Sequence, residues 1–277
     1  MIKLRSRDPG AVFVLDLPEM HSMELPFFYI SEYAPSAEEI VLDEDNSRHI
    51  VQVLRMQAGE HLQLTDGKGN LLTASIVDPH KKKCRVKIED ASFVPAREHT
   101  VTIAISLVKN ASRFEWFLEK ATEMGVSRIM PLLSERTERQ HFRQDRMQQI
   151  VISAMLQSQQ CWLPQLDEPM AVDVLVRETD KSVVTMGGDS ALQSESRFIA
   201  HCIETERVSL AGLVRAGKAG AAAGNGSSLI LIGPEGDFSQ KEIDAAIAAG
   251  FGAVLLGETR LRTETAGVVA AALLCVR

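Results

Sequence analysis

The spacing of apolar positions changes character once along this chain, near residue 96. Before that point the apolar runs are short and alternate with polar residues, the period of half-buried strands. Phe27-Phe28-Tyr29-Ile30 predicts one strand. Leu62-Gln63-Leu64-Thr65 and the run Leu71 to Val77 predict a hairpin, joined at Asp66-Gly67-Lys68-Gly69-Asn70. Cys84 to Ile88 alternates as well, and Asn46 to Arg55 places Ile50, Val51 and Leu54 on one face of a short helix. Many short strands with glycine turns predict a small barrel. Residues 96 to 100 read as a linker.

After the linker, continuous apolar runs alternate with helical spacing. Val101 to Leu107 predicts a buried strand. Phe114, Phe117, Leu118 and Ala121 share a helix face that ends at Met124, with Gly125 just beyond it. Arg128 to Leu133 is the next strand. Arg143 to Ser158 is a long helix with Ile150, Val151, Ala154 and Met155 inward, and Val183 to Met186 is a third strand. Residues 189 to 228 are less regular, and their Gly/Ala-rich part, 216 to 226, predicts a flexible surface loop. Strands at Leu229 to Ile232 and Ala253 to Leu256 complete the set. Ser239 and Glu242 form a capping-box pattern that starts a helix at Gln240, and Gly250 ends it. Strands alternating with helices predict a mostly parallel sheet covered on both faces. The expected organisation is an all-β domain over 23–95 and an α/β domain over 96–277. Residues 1–22 are expected to be a disordered extension, with Met23 as an alternative start.

Composition fits this division. The chain has 277 residues, and its apolar fraction of 45% and charged fraction of 24% are those of a globular protein. A net charge of −7 argues against bulk polyanion binding, although phosphate contacts depend on local clusters. One cluster exists. His80 to Lys87 holds five Lys and Arg side chains and no acid, and Arg48, His49 and Arg55 extend the same basic surface. A solvated turn is the alternative for Lys81, Lys82 and Lys83. His49 alone reads as structural. Four scattered cysteines without a CxxC pair predict reduced thiols in a cytoplasmic protein and no metal site. No apolar run approaches the roughly 18 residues of a membrane helix, so no membrane partner is expected.

Candidate chemistry lies at the last two strand ends, where α/β sheets bind ligands. Gly233-Pro234-Glu235-Gly236-Asp237 leaves the first sharply. It lacks the lysine of a phosphate-binding P-loop and the GxGxxG of a dinucleotide fold, and its acids suit a neutral or cationic ligand. The second loop runs from Gly257 through Arg260, Arg262, Thr263, Glu264 and Thr265. Thr263 as a helix cap with Glu264 in the first turn is one reading, but it leaves both arginines without a role.

At these residues the sequence resembles the ribosomal RNA small-subunit methyltransferase E family, in the SPOUT class of knotted methyltransferases. Leu231-Ile232-Gly233-Pro234-Glu235-Gly236 is similar to its first cofactor motif. Leu256-Gly257 with Leu261-Arg262-Thr263-Glu264-Thr265-Ala266 is similar to its last. Lys109 to Glu115, Glu119 to Val126, Glu135-Arg136, Gln157-Ser158, Leu163-Pro164, Arg48-His49-Ile50 and Val53-Leu54-Arg55 are similar to further segments of the family. Asp237 stands where many members have another glycine.

The resemblance implies an N-terminal PUA-like β-barrel for RNA docking and an α/β SPOUT domain with a C-terminal trefoil knot. It also implies a homodimer, S-adenosylmethionine as donor, and methylation of N3 of one uridine of 16S rRNA in the 30S subunit. Ile232, Gly233, Pro234, Glu235, Gly236, Leu256, Gly257, Leu261, Arg262, Thr263 and Thr265 are then the expected cofactor residues. Arg262, Arg113 and Glu264 are the expected catalytic set, with Arg48, His49, Arg55, Lys81, Lys82, Lys83 and Arg136 toward RNA. A different target nucleotide, or an RNA-binding assembly factor without activity, are the alternatives.

Overall fold

The computed structural model describes residues 25–138, 141–184, 196–203, 206–219 and 226–276. The expected extension at 1–22 and positions 220–225 of the Gly/Ala stretch lie outside the described residues. Among the described residues the strands form two sheets.

The first sheet contains β1 (Phe27–Tyr29), β2 (Glu39–Val41), β3 (His61–Thr65), β4 (Asn70–Asp78) and β5 (Arg85–Phe93), in the order β1-β3-β4-β5-β2. Alternation along these strands turns Leu62, Leu64, Leu72, Ala74, Ile76 and Val86 into one core with Phe28, Ile30 and Leu42. Helix α1 (Glu44–Arg48) is capped by Asp43, whose side chain accepts from the Asn46 amide, and it passes into a π turn over His49–Val53. The expected helix over 46–55 is therefore split. Ile50 reaches the core, but the wider π turn rotates Leu54 off that face and leaves it 42% exposed.

The second sheet contains β6 (Thr100–Ser106), β7 (Arg128–Leu133), β8 (Gln165–Leu166), β9 (Met170–Ala171), β10 (Ser196–Ala200), β11 (Val208–Ser209), β12 (Ser227–Ile232) and β13 (Gly252–Leu255). Its order is β11-β13-β10-β12-β6-β7-β8, with β9 beside β7, and all its pairings are parallel. The helices are α2 (Ala111–Met124), α3 (Gln144–Gln157), α4 (Val172–Val184), α5 (Leu210–Arg215), α6 (Gln240–Ala248) and α7 (Thr263–Cys275). Ile103, Ile105, Ile230 and Ile232 face α2, α3 and α7 through Phe114, Phe117, Val151, Ala270 and Leu274. On the other side Ala104, Leu229 and Leu231 meet Leu175 and Val176 of α4 and Ile243 and Ala246 of α6. A sheet buried on both faces needs apolar residues at successive positions, which is why these strands read as unbroken runs. Gly267 lets α7 lie against α2, since a Cβ there would stand 2.6 Å from the Phe117 ring.

One strand expectation fails. Val183 and Val184 end α4, and 185–186 lie outside the described residues. The valines continue the helical spacing of Val172, Val176 and Thr179, and this spacing outweighs the local β preference. The strand is instead β10, inside the region read as irregular, which also carries β11 and α5.

The two sheets are joined at the β3–β4 turn. Gly69 N donates to Cys161 O at 2.9 Å and Leu163 N donates to Gly67 O at 2.9 Å. The Trp162 ring lies against Gly69, edge-on to Phe93, and its Nε1 donates to Val94 O at 2.9 Å. Gly67 and Gly69 have φ of 69° and 95°, and added Cβ atoms would stand 2.7 Å from Leu163 and from Trp162. Only glycine suits such a conformation and approach.

Candidate functional site

The carboxyl ends of β10, β12 and β13 and the start of α7 enclose a cleft of about 600 Å³. Parallel strands expose their carboxyl ends on one edge, so loops distant in sequence meet there. Ile232, Gly233, Pro234 and Glu235 line it from the β12 side, and Leu256, Gly257, Leu261, Arg262 and Thr263 from the β13 side. Gly236 and Thr265 are not among its lining residues. The two loops are tied directly, because Thr263 Oγ1 donates to Gly233 O at 2.9 Å. Arg262 holds the N-cap position of α7 and its side chain does not cap, so Thr263 is a loop-to-loop tie rather than the cap.

Each loop is held by its own chemistry. Gly233 permits a close approach, since an added Cβ would lie 3.1 Å from the backbone nitrogen of Phe238. Asp237 N donates to Pro234 O at 2.9 Å, and this turn puts Asp237 at φ 65°. The predicted capping box is present at α6. Its Glu242 is buried and takes a second bond, from Glu135 N at 2.9 Å, which fixes the loop after β7 against the loop after β12. Arg136 donates to Gly236 O at 2.7 Å, so this arginine clamps the loop after β12. Lys109 N adds a bond of 3.3 Å to Glu235 Oε1.

The cleft has residues that sequence reasoning did not single out. Ala200, His201, Cys202 and Arg207 form its third wall; Asp237 and Arg260, already singled out in the sequence, line it too, as does Glu258. The sequence pattern does not mark His201, Cys202 and Arg207, because it predicts the third strand at 183–186, whereas the strand that leads to them is Ser196–Ala200. The short apolar group Phe198-Ile199-Ala200 was the available signal. His201 is buried, and that burial pushes its imidazole below its ordinary range; Asp237 pulls the other way and Arg207 adds to the depression.

The expected catalytic residues divide. Arg262 is exposed on the cleft wall, whereas Arg113 and Glu264 are not among the lining residues. They pair with each other, Arg113 Nε standing 3.6 Å from Glu264 Oε1. Glu264 is buried, and its Oε2 has no hydrogen-bond partner among the described residues.

On the first sheet, Glu44 Oε1 lies 2.9 Å from Arg48 and 3.7 Å from Lys82, so α1 and the β4–β5 turn share one surface. Lys81, Lys83 and Arg55 are exposed there or on adjacent loops, and His49 packs edge-on against Phe28, a structural role. No cluster of metal-ligating side chains occurs among the described residues, and none of their helices is long and apolar enough to cross a membrane.

Comparison with known proteins accords with this geometry. Family models match the RNA methyltransferase domain over residues 95–275 and the RNA methyltransferase PUA domain over 42–89. The chain is 30% identical over 249 residues to the ribosomal RNA small subunit methyltransferase E of Mycobacterium bovis, covering 88% of each protein. A probable rRNA-methyltransferase of Porphyromonas gingivalis superposes with a TM-score of 0.74 at 36% identity, over 89% of this chain and 95% of that one. The ribosomal RNA small subunit methyltransferase E of Neisseria gonorrhoeae, solved bound to S-adenosyl methionine, superposes with a TM-score of 0.71 at 27% identity, over 90% and 95%. With a PUA-type sheet followed by a parallel sheet whose strand ends carry both motifs, the chain belongs to the ribosomal RNA small subunit methyltransferase E family.

Proposed function

We propose that this protein transfers the methyl group of S-adenosylmethionine to N3 of one uridine of 16S rRNA in the small ribosomal subunit. The observation that carries the reading is the single cleft made by the two motif loops, locked by the Thr263–Gly233 bond. Its volume lies within the roughly 300–1,000 Å³ usual for small-molecule sites. Ile232, Leu256 and Leu261 offer apolar walls for a nucleobase, and Arg207, Arg260 and Arg262 offer partners for a carboxylate. Glu235, Asp237 and Glu258 favour a cation. At Gly257 an added Cβ would meet nothing within 4 Å, so backbone there is open to a ligand.

The bound sulfonium supplies an electrophilic methyl group, and the chain supplies the rest. The tied loops hold the donor in one orientation, and alignment of this kind is worth about 7 kcal/mol or more of barrier. The target base is unstacked from its RNA to reach the cleft. As N3 loses its proton, negative charge collects on the uracil oxygens, and exposed Arg262 is the cation placed to receive it. Glu264, buried behind the cleft wall with Arg113 3.6 Å away, acts as the anchor of Arg113. The basic surface around Arg48 and Lys82 docks the phosphate backbone. The residue range 23–95 acts as the docking domain and 96–277 as the catalytic domain of a cytoplasmic homodimer.

The test is a methylation assay on undermethylated 30S subunits and on naked 16S rRNA, read by mass spectrometry. Formation of 3-methyluridine at one site supports the reading. A different methylated nucleotide would assign another target. Calorimetry that detects no binding of S-adenosylmethionine would leave an RNA-binding assembly factor.

A further inference from the structure

The peptide linking His201 to Cys202 follows β10 directly and forms part of the third wall of the cleft. Both of its polar groups are engaged from outside the segment. Arg207 Nη1 donates to the His201 carbonyl at 2.7 Å, and Cys202 N donates to Asp237 Oδ2 at 2.7 Å. A peptide bonded through C=O on one side and N–H on the other has a fixed plane. Asp237 reaches this geometry from a backbone at φ 65°, where residues other than glycine are uncommon. Its other oxygen accepts from Phe238 N at 2.8 Å. One carboxylate thus binds the loop after β12 to the loop after β10, as Thr263 binds it to the start of α7.

We infer that Asp237 is a positioning residue for the donor site, acting through the His201–Cys202 peptide to hold the third wall in the shape that accepts S-adenosylmethionine. The inference rests on the functional reading above. Without the carboxylate, Cys202 N loses a short charge-assisted bond, while the Arg207 bond to the other side of the same peptide remains. The two motif loops remain joined through Thr263, so the site loosens on one side only.

The prediction separates a carboxylate clamp from a mere turn residue. Calorimetry with S-adenosylmethionine and thermal melts are run on the parent chain and on Asp237→Asn, Asp237→Ala and Asp237→Gly. A bond to a charged group is worth enough that Asp237→Ala weakens binding by about tenfold or more. Asp237→Asn keeps an acceptor and tolerates positive φ, so it recovers most of the affinity. Asp237→Gly relieves the backbone and melts no lower than Asp237→Ala, yet binds as weakly as Asp237→Ala. Parent-like affinity in Asp237→Gly overturns the clamp, as does an Asn variant no better than Ala. Should the parent chain itself fail to bind the donor, the functional reading falls instead.

Discussion

At the scale of the residue, the cleft is governed by a few side chains whose neighbours set their roles. Arg262 occupies an N-cap position without capping, so its guanidinium is free to face the cleft. Arg262→Ala is expected to lower the methylation rate by about 100-fold or more, the usual cost of removing a transition-state charge partner, with melting temperature little changed and any loss of donor affinity smaller than the loss of rate. Steady-state kinetics on purified mutant checks this, and near-parent turnover removes Arg262 from the chemistry. His201 yields a pH prediction. Its folded pKa lies below the ordinary 6.5, chiefly through desolvation, so the unfolded chain takes up the proton first. Its contribution to stability is therefore complete above about pH 6.5 and is lost as pH falls below it. Melts from pH 8 to pH 5 should show this loss, and His201→Asn should flatten the slope in that window.

At the scale of the element, caps and turns were the most readable features. The capping box at Ser239, the end of α2 at left-handed Gly125 and the Asp66–Asn70 turn all carry their own local chemistry. The fate of Val183 and Val184 shows the limit of such reading. Two adjacent valines fit a strand or the end of an amphipathic helix, and the longer helical pattern won. The β4–β5 turn carries a prediction about RNA. Replacing Lys81, Lys82 and Lys83 together by Gln should weaken binding and flatten the salt slope by about two units, given roughly 0.7–0.9 per phosphate contact and the pairing of Lys82 with Glu44. Titrations of an rRNA fragment at several salt concentrations measure it. An unchanged slope makes the run a solvated turn.

At the scale of the whole molecule, the joint around Trp162 holds the basic surface and the donor cleft on one framework. Gly67 and Gly69 leave room for the 161–163 segment, which a Cβ at either position would meet at 2.7 Å. Trp162→Ala is expected to leave donor affinity near the parent value. It should lower methylation efficiency on RNA by about 100-fold, because misplacement of about 1 Å has that cost in an aligned reaction. Trp162→Phe retains a ring against Gly69 but loses the bond to Val94 O, and should fall between. Equal losses in donor affinity and RNA methylation would mean that the joint serves folding alone.

The sequence by itself determined the two kinds of sheet, the capped helices and the two glycine-marked strand ends, because each depends on residues within one or two turns of each other. Ile232, Gly233, Leu256, Gly257 and Arg262 were legible for that reason. Only the tertiary structure decided that Asp237 meets Cys202, that Arg136 clamps Gly236, and that Glu264 is buried against Arg113 instead of lining the cleft. Those contacts join residues 35, 100 and 151 positions apart in the chain. Local periodicity carries no information about them. They follow from strand order, which places β10 between β12 and β13 and brings the three loop ends to one edge of the sheet.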